Sequence, residues 1–283
     1  MYNDSIKFKT TILIQRRDGT TYDLGAEGIR VISFDPPSAN YQHTYSQVND
    51  IGAQLTGTQV QQKTIPLLFD VYAMDRYDYR LQEQKVKQIF SSIEPFYVIN
   101  SETPYKRWKV VAEPFSYPKL GNSTKAKSVA VNLVCYEGYS ESVATTQDEM
   151  TFSNGKFGIG MNLGFDQPKY TFKNVSQFDF YNPSVIPLFA GRKPVQIEFV
   201  GNAPNGVTIS NLTTGQSFTY YKSISKGDKL LIVGVMPIMN GIQRLGNGFS
   251  NRAYLDFATG HNLIRITGTT DYTVKFTTRF YYD

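Results

Sequence analysis

Among the 283 residues there is one cysteine, Cys135, and there are two histidines, His43 and His261. A single thiol excludes any disulfide within the chain, and a thiolate zinc site lacks its ligands. The two histidines lie far apart in sequence and form no H-E-x-x-H or comparable metal spacing. Long apolar runs are missing as well. No stretch approaches the roughly 18 apolar residues of a spanning helix, so no membrane insertion is expected. The first residues, Met1-Tyr2-Asn3-Asp4-Ser5, lack the basic and apolar regions of a secretory signal, and folding in a reducing cytosol is expected. Charge of one sign is nowhere concentrated: residues 1–140 carry 16 basic and 14 acidic side chains, and 141–283 carry 13 and 10. Without a clustered basic field, the pI near 9.0 is poor support for sequence-specific nucleic-acid binding. The 22 Gly and 13 Pro are ordinary usage, which excludes collagen-like and low-complexity structure.

Tyr and Phe are abundant, 20 and 19 of them against a single Trp, and both suit the half-buried surfaces of sheets. The length suggests two domains at roughly 150 residues each. Ile12-Leu13-Ile14 and the alternating Tyr22 and Leu24 flank Asp18-Gly19, a hairpin signal because both positions tolerate φ > 0. Ile29, Val31 and Phe34 continue the strand pattern until Pro36-Pro37 ends it. Residues 38–62 then change character. Tyr41, Tyr45, Val48, Ile51 and Leu55 are scattered among Gln, Asn, Ser and Thr without a period, so the segment cannot build its own core. It reads either as a mobile surface loop or as an extended arm or hairpin that orders against a neighbouring subunit. Ile65, Leu67, Phe69 and Val71 alternate as a strand. The one convincing helix runs from Asp75 as N-cap, with Met74 and Tyr79 placed for a hydrophobic staple. Its apolar stripe is Tyr79, Val86, Ile89, Phe90 and Ile93, its outer face is Glu83, Gln84, Lys87 and Gln88, and Pro95 stops it. Strands follow at Phe96–Ile99, at Tyr105–Ala112 with Trp108 inward, and at Ser128–Tyr136 with Cys135 on the apolar side. With no histidine or helix N-terminus near it, Cys135 reads as a buried structural thiol.

Residues 137–164 lose apolar periodicity and read as a linker. The Gly-rich stretch 155–164 has the wrong spacing for G-x-G-x-x-G and no βαβ surroundings. Beyond it, short strands alternate with turns: Val195, Ile197 and Phe199; Val207 and Ile209 before Asn211-Leu212-Thr213-Thr214-Gly215; Lys226-Gly227-Asp228; Gly260-His261-Asn262; and Val274, Phe276, Thr278, Phe280 and Tyr282 at period two. That density describes an antiparallel sandwich. The expected fold is therefore mainly β. A β-sandwich-like domain (1–140) carries one α-helix and an extended arm, a linker covers 141–164, and a second β-sandwich covers 165–283.

Catalytic constellations are absent: no nucleophile elbow, phosphate loop, histidine pair or cysteine cluster. Asp179, Glu198, Asp228 and Asp256 are the carboxylates a glycosidase could use, but each sits by a turn or on an outward strand position. A sugar-binding face would draw on Tyr220, Tyr221, Tyr254, Tyr281 or Tyr282. The expectation is a protein that is not an enzyme and needs no cofactor or metal; the alternative is a carbohydrate-binding or glycosidase-accessory protein acting through its second domain.

The order of these elements resembles the distal tail proteins of long-tailed, non-contractile phages (or prophages) of Gram-positive hosts, over essentially the full length. It rests on the arm, the strand Ile65–Val71, the helix and the basic-aromatic strand Tyr105–Ala112. In the second half it rests on Asn182-Pro183, Asn211-Leu212-Thr213-Thr214-Gly215, Lys226-Gly227-Asp228, Asn240-Gly241 and the strand from Gly260-His261-Asn262 to Gly268. The resemblance implies a homo-hexameric ring in the virion, made in the host cytoplasm. Its first domain would surround a channel, and its second, galectin-like domain would project outward. Partners would be the tail tube protein, the tail-tip lysin or fibre, and receptor-binding or baseplate proteins. The Trp-containing signature of sugar-binding galectins is absent, as are inserted carbohydrate-binding modules. The arm residues Tyr41, Tyr45, Val48, Ile51 and Leu55 are the candidate subunit contacts.

Overall fold

Ile12 and Ile14 are buried while Leu13 and Gln15 are half-buried, the period of two that a strand shows when one face meets a core. This strand, β1 (Ile12–Gln15), turns through Asp18-Gly19 into β2 (Thr21–Asp23), with Gly19 at φ +90° as the hairpin signal requires. The structure, a computed structural model, describes residues 11–47, 52–151, 155–164, 167–246 and 248–283. The chain divides into two compact units, Met1–Glu141 with Asp283, and Ser142–Tyr282.

In the first unit β3 (Ile29–Phe34) is followed by β4 (Asn40–Gln47), β5 (Ala53–Gln61) and β6 (Lys63–Tyr72). Helix α1 (Arg76–Ile89) then leads to β7 (Phe96–Asn100), β8 (Lys106–Ala112) and β9 (Lys125–Cys135). The main sheet runs in the order β2-β1-β7-β8-β9-β6-β3, antiparallel throughout. Its inward residues, among them Ile65, Leu67, Phe69, Val98, Trp108, Val110, Val131 and Cys135, form one core with Tyr79, Val86 and Ile89 of the helix. Phe90 closes the helix by stacking on Phe69 at 5.7 Å. A local irregularity in β9 is absorbed by a buried carboxylate: Ser128 has φ +56° and its amide donates to Asp70 Oδ1 at 2.7 Å.

Two expectations about the helix are corrected. Asp75 is the N-cap, its carboxylate accepting from the amides of Tyr77 and Asp78, but Met74 is 95% exposed and makes no staple with buried Tyr79. Asp78 holds this end instead, its carboxylate accepting from the Met74 amide at 2.8 Å. The helix also ends at Ile89, with Phe90 as C-cap, so Ile93 lies beyond it and is exposed. With a large aromatic at the cap filling the core, the chain has no apolar site left to offer Ile93.

The second unit begins within the short strand β10 (Ser140–Ser142). In the stretch expected as a linker, Ser142, Ala144, Thr146, Met150, Phe157 and Met161 are buried in this unit. Thr146 shows why: its amide donates to the Thr278 carbonyl at 3.0 Å and its hydroxyl to the Phe276 carbonyl at 2.6 Å. Backbone pairing at such loop positions leaves no apolar period to read. The strands are β11 (Thr171–Lys173), β12 (Gln177–Asn182), β13 (Gln196–Asn202), β14 (Val207–Asn211), β15 (Gln216–Tyr220), β16 (Lys229–Val233), β17 (Met236–Met239), β18 (Ile242–Gln243), β19 (Gly260–Thr267), β20 (Asp271–Thr277) and β21 (Tyr281–Tyr282). Strands β11 to β20 form two sheets, β11-β20-β13-β16-β17-β18 and β12-β19-β14-β15. Phe180, Phe199, Phe218, Phe257 and Phe276 are all fully buried in this unit, so much of the aromatic surplus is core.

Candidate assembly interface

The segment without a period is a β-hairpin. Strands β4 and β5 pair only with each other among the described residues, so both outer edges are unpaired, and nearly every residue on either face is exposed. Register explains how a sequence with no obvious period still has two different faces. Tyr41 pairs with Val60, His43 with Thr58 and Tyr45 with Leu55, while Gln42 meets Gln59 and Ser46 meets Gln54. A bulge at Thr44/Tyr45 shifts the register within β5, which hides the alternation in a linear reading. One face is thus Tyr41, His43, Tyr45, Leu55 and Val60, the other only amides and hydroxyls. Tyr41 stacks on His43 with ring centroids 6.5 Å apart, and His43 Nδ1 lies 3.0 Å from Thr58 Oγ1. Neither strand carries Lys, Arg, Asp or Glu. Charges are a common device that keeps exposed edges from pairing with other chains, and here it is missing. Of the expected contact residues, Tyr41, Tyr45 and Leu55 share the apolar face and are 48%, 62% and 52% exposed. Val48 and Ile51 lie outside the described residues.

The hairpin is free along its length and fixed at its root. The Lys63 ammonium is almost fully buried, donates to the Pro37 carbonyl and to Asp283 Oδ1, both at 2.7 Å, and lies 4.4 Å from the centre of the Trp108 ring. The other oxygen, Asp283 Oδ2, accepts from the Ala39 amide at 3.0 Å. One carboxylate therefore ties both limbs of the hairpin. Burial pushes the Asp283 carboxyl up, but Lys63, the Ala39 amide and the charge of Lys106 outweigh it and hold the group below 3.8. Farther out, Tyr41 Oη and Tyr139 Oη lie 3.3 Å apart. Gly138, at φ +77°, leaves room for the second limb: a Cβ there would meet Val60 Cγ1 at 2.6 Å and the Gln61 carbonyl at 3.0 Å. Lys63, Gly138, Tyr139 and Asp283 escape sequence reasoning because their partners are 26 to 244 positions away and no local pattern marks them.

The second unit places its polar residues in structural roles. Asn182, Asn211 and Asn262, three of the residues that carry the family resemblance, are buried. Asn211 Nδ2 donates to the Asp256 carbonyl at 2.8 Å and to Asn262 Oδ1 at 3.1 Å, and Asn262 Nδ2 donates to the Ala258 carbonyl at 2.9 Å. Asn182 Nδ2 reaches the carbonyls of Ile186 and Ala258. The four candidate carboxylates are spread out. Asp179 meets His261 at 2.6 Å, Glu198 meets Lys229, Asp228 accepts from the Ser225 amide and Asn240, and Asp256 accepts from the Ala190 amide and Gln216. Of the tyrosines available for a sugar platform, Tyr220, Tyr281 and Tyr282 are buried, while Tyr221 and Tyr254 are about half exposed. Cys135 is buried, as expected of a structural thiol.

Together, a helix-backed antiparallel sheet carrying the β4–β5 hairpin and a two-sheet second unit make a fold shared with a phage distal-tail protein. Residues 17–135 match the family model of the phage tail protein RIFT-related domain, a stretch that lies in the first unit and includes the hairpin. SPP1 Dit (gp 19.1) has the same fold: it matches 96% of this chain and 99% of its own, with a TM-score of 0.68 at 10% identity. Its structure is presented as a paradigm of the hub adsorption apparatus in Gram-positive infecting phages. A chain of the phage p2 baseplate, in its activated conformation with Sr, matches 95% of this chain and 97% of its own, with a TM-score of 0.49 at 11% identity. No curated protein matches the chain. The resemblance read from the order of motifs agrees with the tail-domain match over residues 17–135 and with the fold of SPP1 Dit.

Proposed function

We propose that this chain is a structural hub of the distal tail of a phage of a Gram-positive host. It closes into a six-subunit ring between the tail tube and the tail tip, and in the virion it supports host adsorption and DNA passage. The observation that carries the reading is that the stretch matching the tail-domain model encloses a hairpin with two open edges, an apolar face and no charge on its strands. A ring needs head-to-tail contacts that close by rotation, and an open-edged hairpin can add its strands to a neighbour's sheet. The nearly balanced charge of the first half suits a channel through which DNA slides without sticking. The second, galectin-like unit projects outward and meets receptor-binding or baseplate proteins, while the tail tube and a tip lysin or fibre bind the ring's two sides.

Deleting residues 41–59 tests the core of this reading. The expected product is a folded monomer where the intact chain gives a hexamer by light scattering and native mass spectrometry. An unchanged oligomer in the deletion variant would show that the arm is not the subunit contact.

A further inference from the structure

The outer side of α1 carries two features that have no part in the hairpin or its root. Arg76, Arg80 and Lys119 line a pocket of about 300 Å³ together with Tyr77, Tyr79 and the loop residues Ser123 and Thr124. No carboxylate lines it. The nearest acids on the helix are engaged elsewhere: Asp75 and Asp78 accept from the amides of Tyr77, Asp78 and Met74, and Glu83 bridges Arg80 and Lys87. The Arg76 guanidinium donates to Tyr77 Oη at 2.9 Å, and the Lys119 ammonium lies 5.8 Å from the centre of the Tyr79 ring. Neither makes an ion pair among the described residues. Beside these cations, Met74, Tyr77 and Leu81 follow one another at steps of three and four, and all are exposed, by 95%, 68% and 65%. Leu120, next to Lys119, is half exposed.

We propose that this face docks a different tail protein through a segment that presents a carboxylate beside an apolar side chain; the proposal rests on the tail-assembly reading above. A phosphate or a nucleic-acid backbone would satisfy the cations and leave Met74 and Leu81 in water. A protein segment of mixed character satisfies both. The described strands of a second copy's arm hold no carboxylate, and a second copy is one of the outcomes that the test separates.

The test uses the full chain and two labelled peptides, one with Asp set among Leu and Ser and one with each Asp changed to Asn. Binding is read by fluorescence anisotropy, with inorganic phosphate and a DNA duplex as separate probes. The acidic peptide is expected to bind about tenfold tighter than its Asn counterpart. Arg76→Gln with Lys119→Gln removes that preference, and Leu81→Ser weakens both peptides while the helical circular dichroism stays. Equal binding of the two peptides, indifference to the double variant, or binding of the duplex alone would overturn the proposal. Light scattering on the same samples separates the two readings. Peptide binding by a chain that forms no ring leaves the dock standing and removes the hub, while a ring lost with Leu81→Ser assigns the face to a second copy and overturns the dock.

Discussion

Asn262 Oδ1 accepts from the Ala258 amide and from Asn211 Nδ2, and its own Nδ2 reaches three carbonyls, those of Phe180, Ala258 and Gly260, within a fully buried position. No water can replace it, so changing it to Leu strands several loop groups at once. Each buried group left unpaired costs about 1–3 kcal/mol, and the variant is expected to lose about 3 kcal/mol in urea unfolding. A loss below about half a kcal/mol would mean that the loops find other partners. At the hairpin root, Asp283→Asn keeps the shape and removes the charge that faces buried Lys63, for an expected cost of about 1–3 kcal/mol. The sign with pH follows from the held-down carboxyl. Its contribution is full above 3.8, the value without these partners, and fades as pH falls through the lower folded value. Unfolding midpoints of the intact chain and of Asp283→Asn should therefore differ at neutral pH and converge in acid. These residues were legible only as types. Asn182, Asn211 and Asn262 stood out as turn markers, but turn propensity does not say that a side chain points inward.

At the scale of elements, Gly138 is a position where the loop after β9 passes close against the arm. Gly138→Ala places a methyl against Val60 and the Gln61 carbonyl at a φ that alanine disfavours. The expected outcome is a hairpin displaced at its root. Faster amide hydrogen exchange in residues 53–61 would reveal it, with the β6 to β9 ladder unchanged. Sequence reading recovered elements wherever burial imposed a clean period. The strand around Ile65, the helix from Asp75 and the strand containing Cys135 each expose one face to a core. It failed on the hairpin's pairing, because a strand exposed on both faces has no hydrophobic period and its bulge at Thr44/Tyr45 breaks what little there is. It overran the helix to Ile93 because apolar spacing continues past the point where Phe90 has filled the cap.

For the whole molecule, the division into two β units was legible from length and from the loss of periodicity after Glu137. Its position was not. The stretch that looks like a tether is backbone-paired at Thr146 and buried at Phe157 and Met161, so the second unit starts at Ser142. Lack of periodicity marks absence of a regular face, which a packed loop shares with a free one.

The uncharged strands of the arm bear on the medium in which assembly takes place. Screening by salt, with a Debye length of about 8 Å at physiological strength, acts on charges, and these strands offer none to screen. Ring formation through the arm is therefore expected to keep the same midpoint concentration, within about twofold, from low salt to high. A steep loss in salt, measured by light scattering, would place the subunit contact on charged residues elsewhere. If the proposed ring is joined through these strands, a particle built on such joints would tolerate dilution into fresh water and immersion in brine alike.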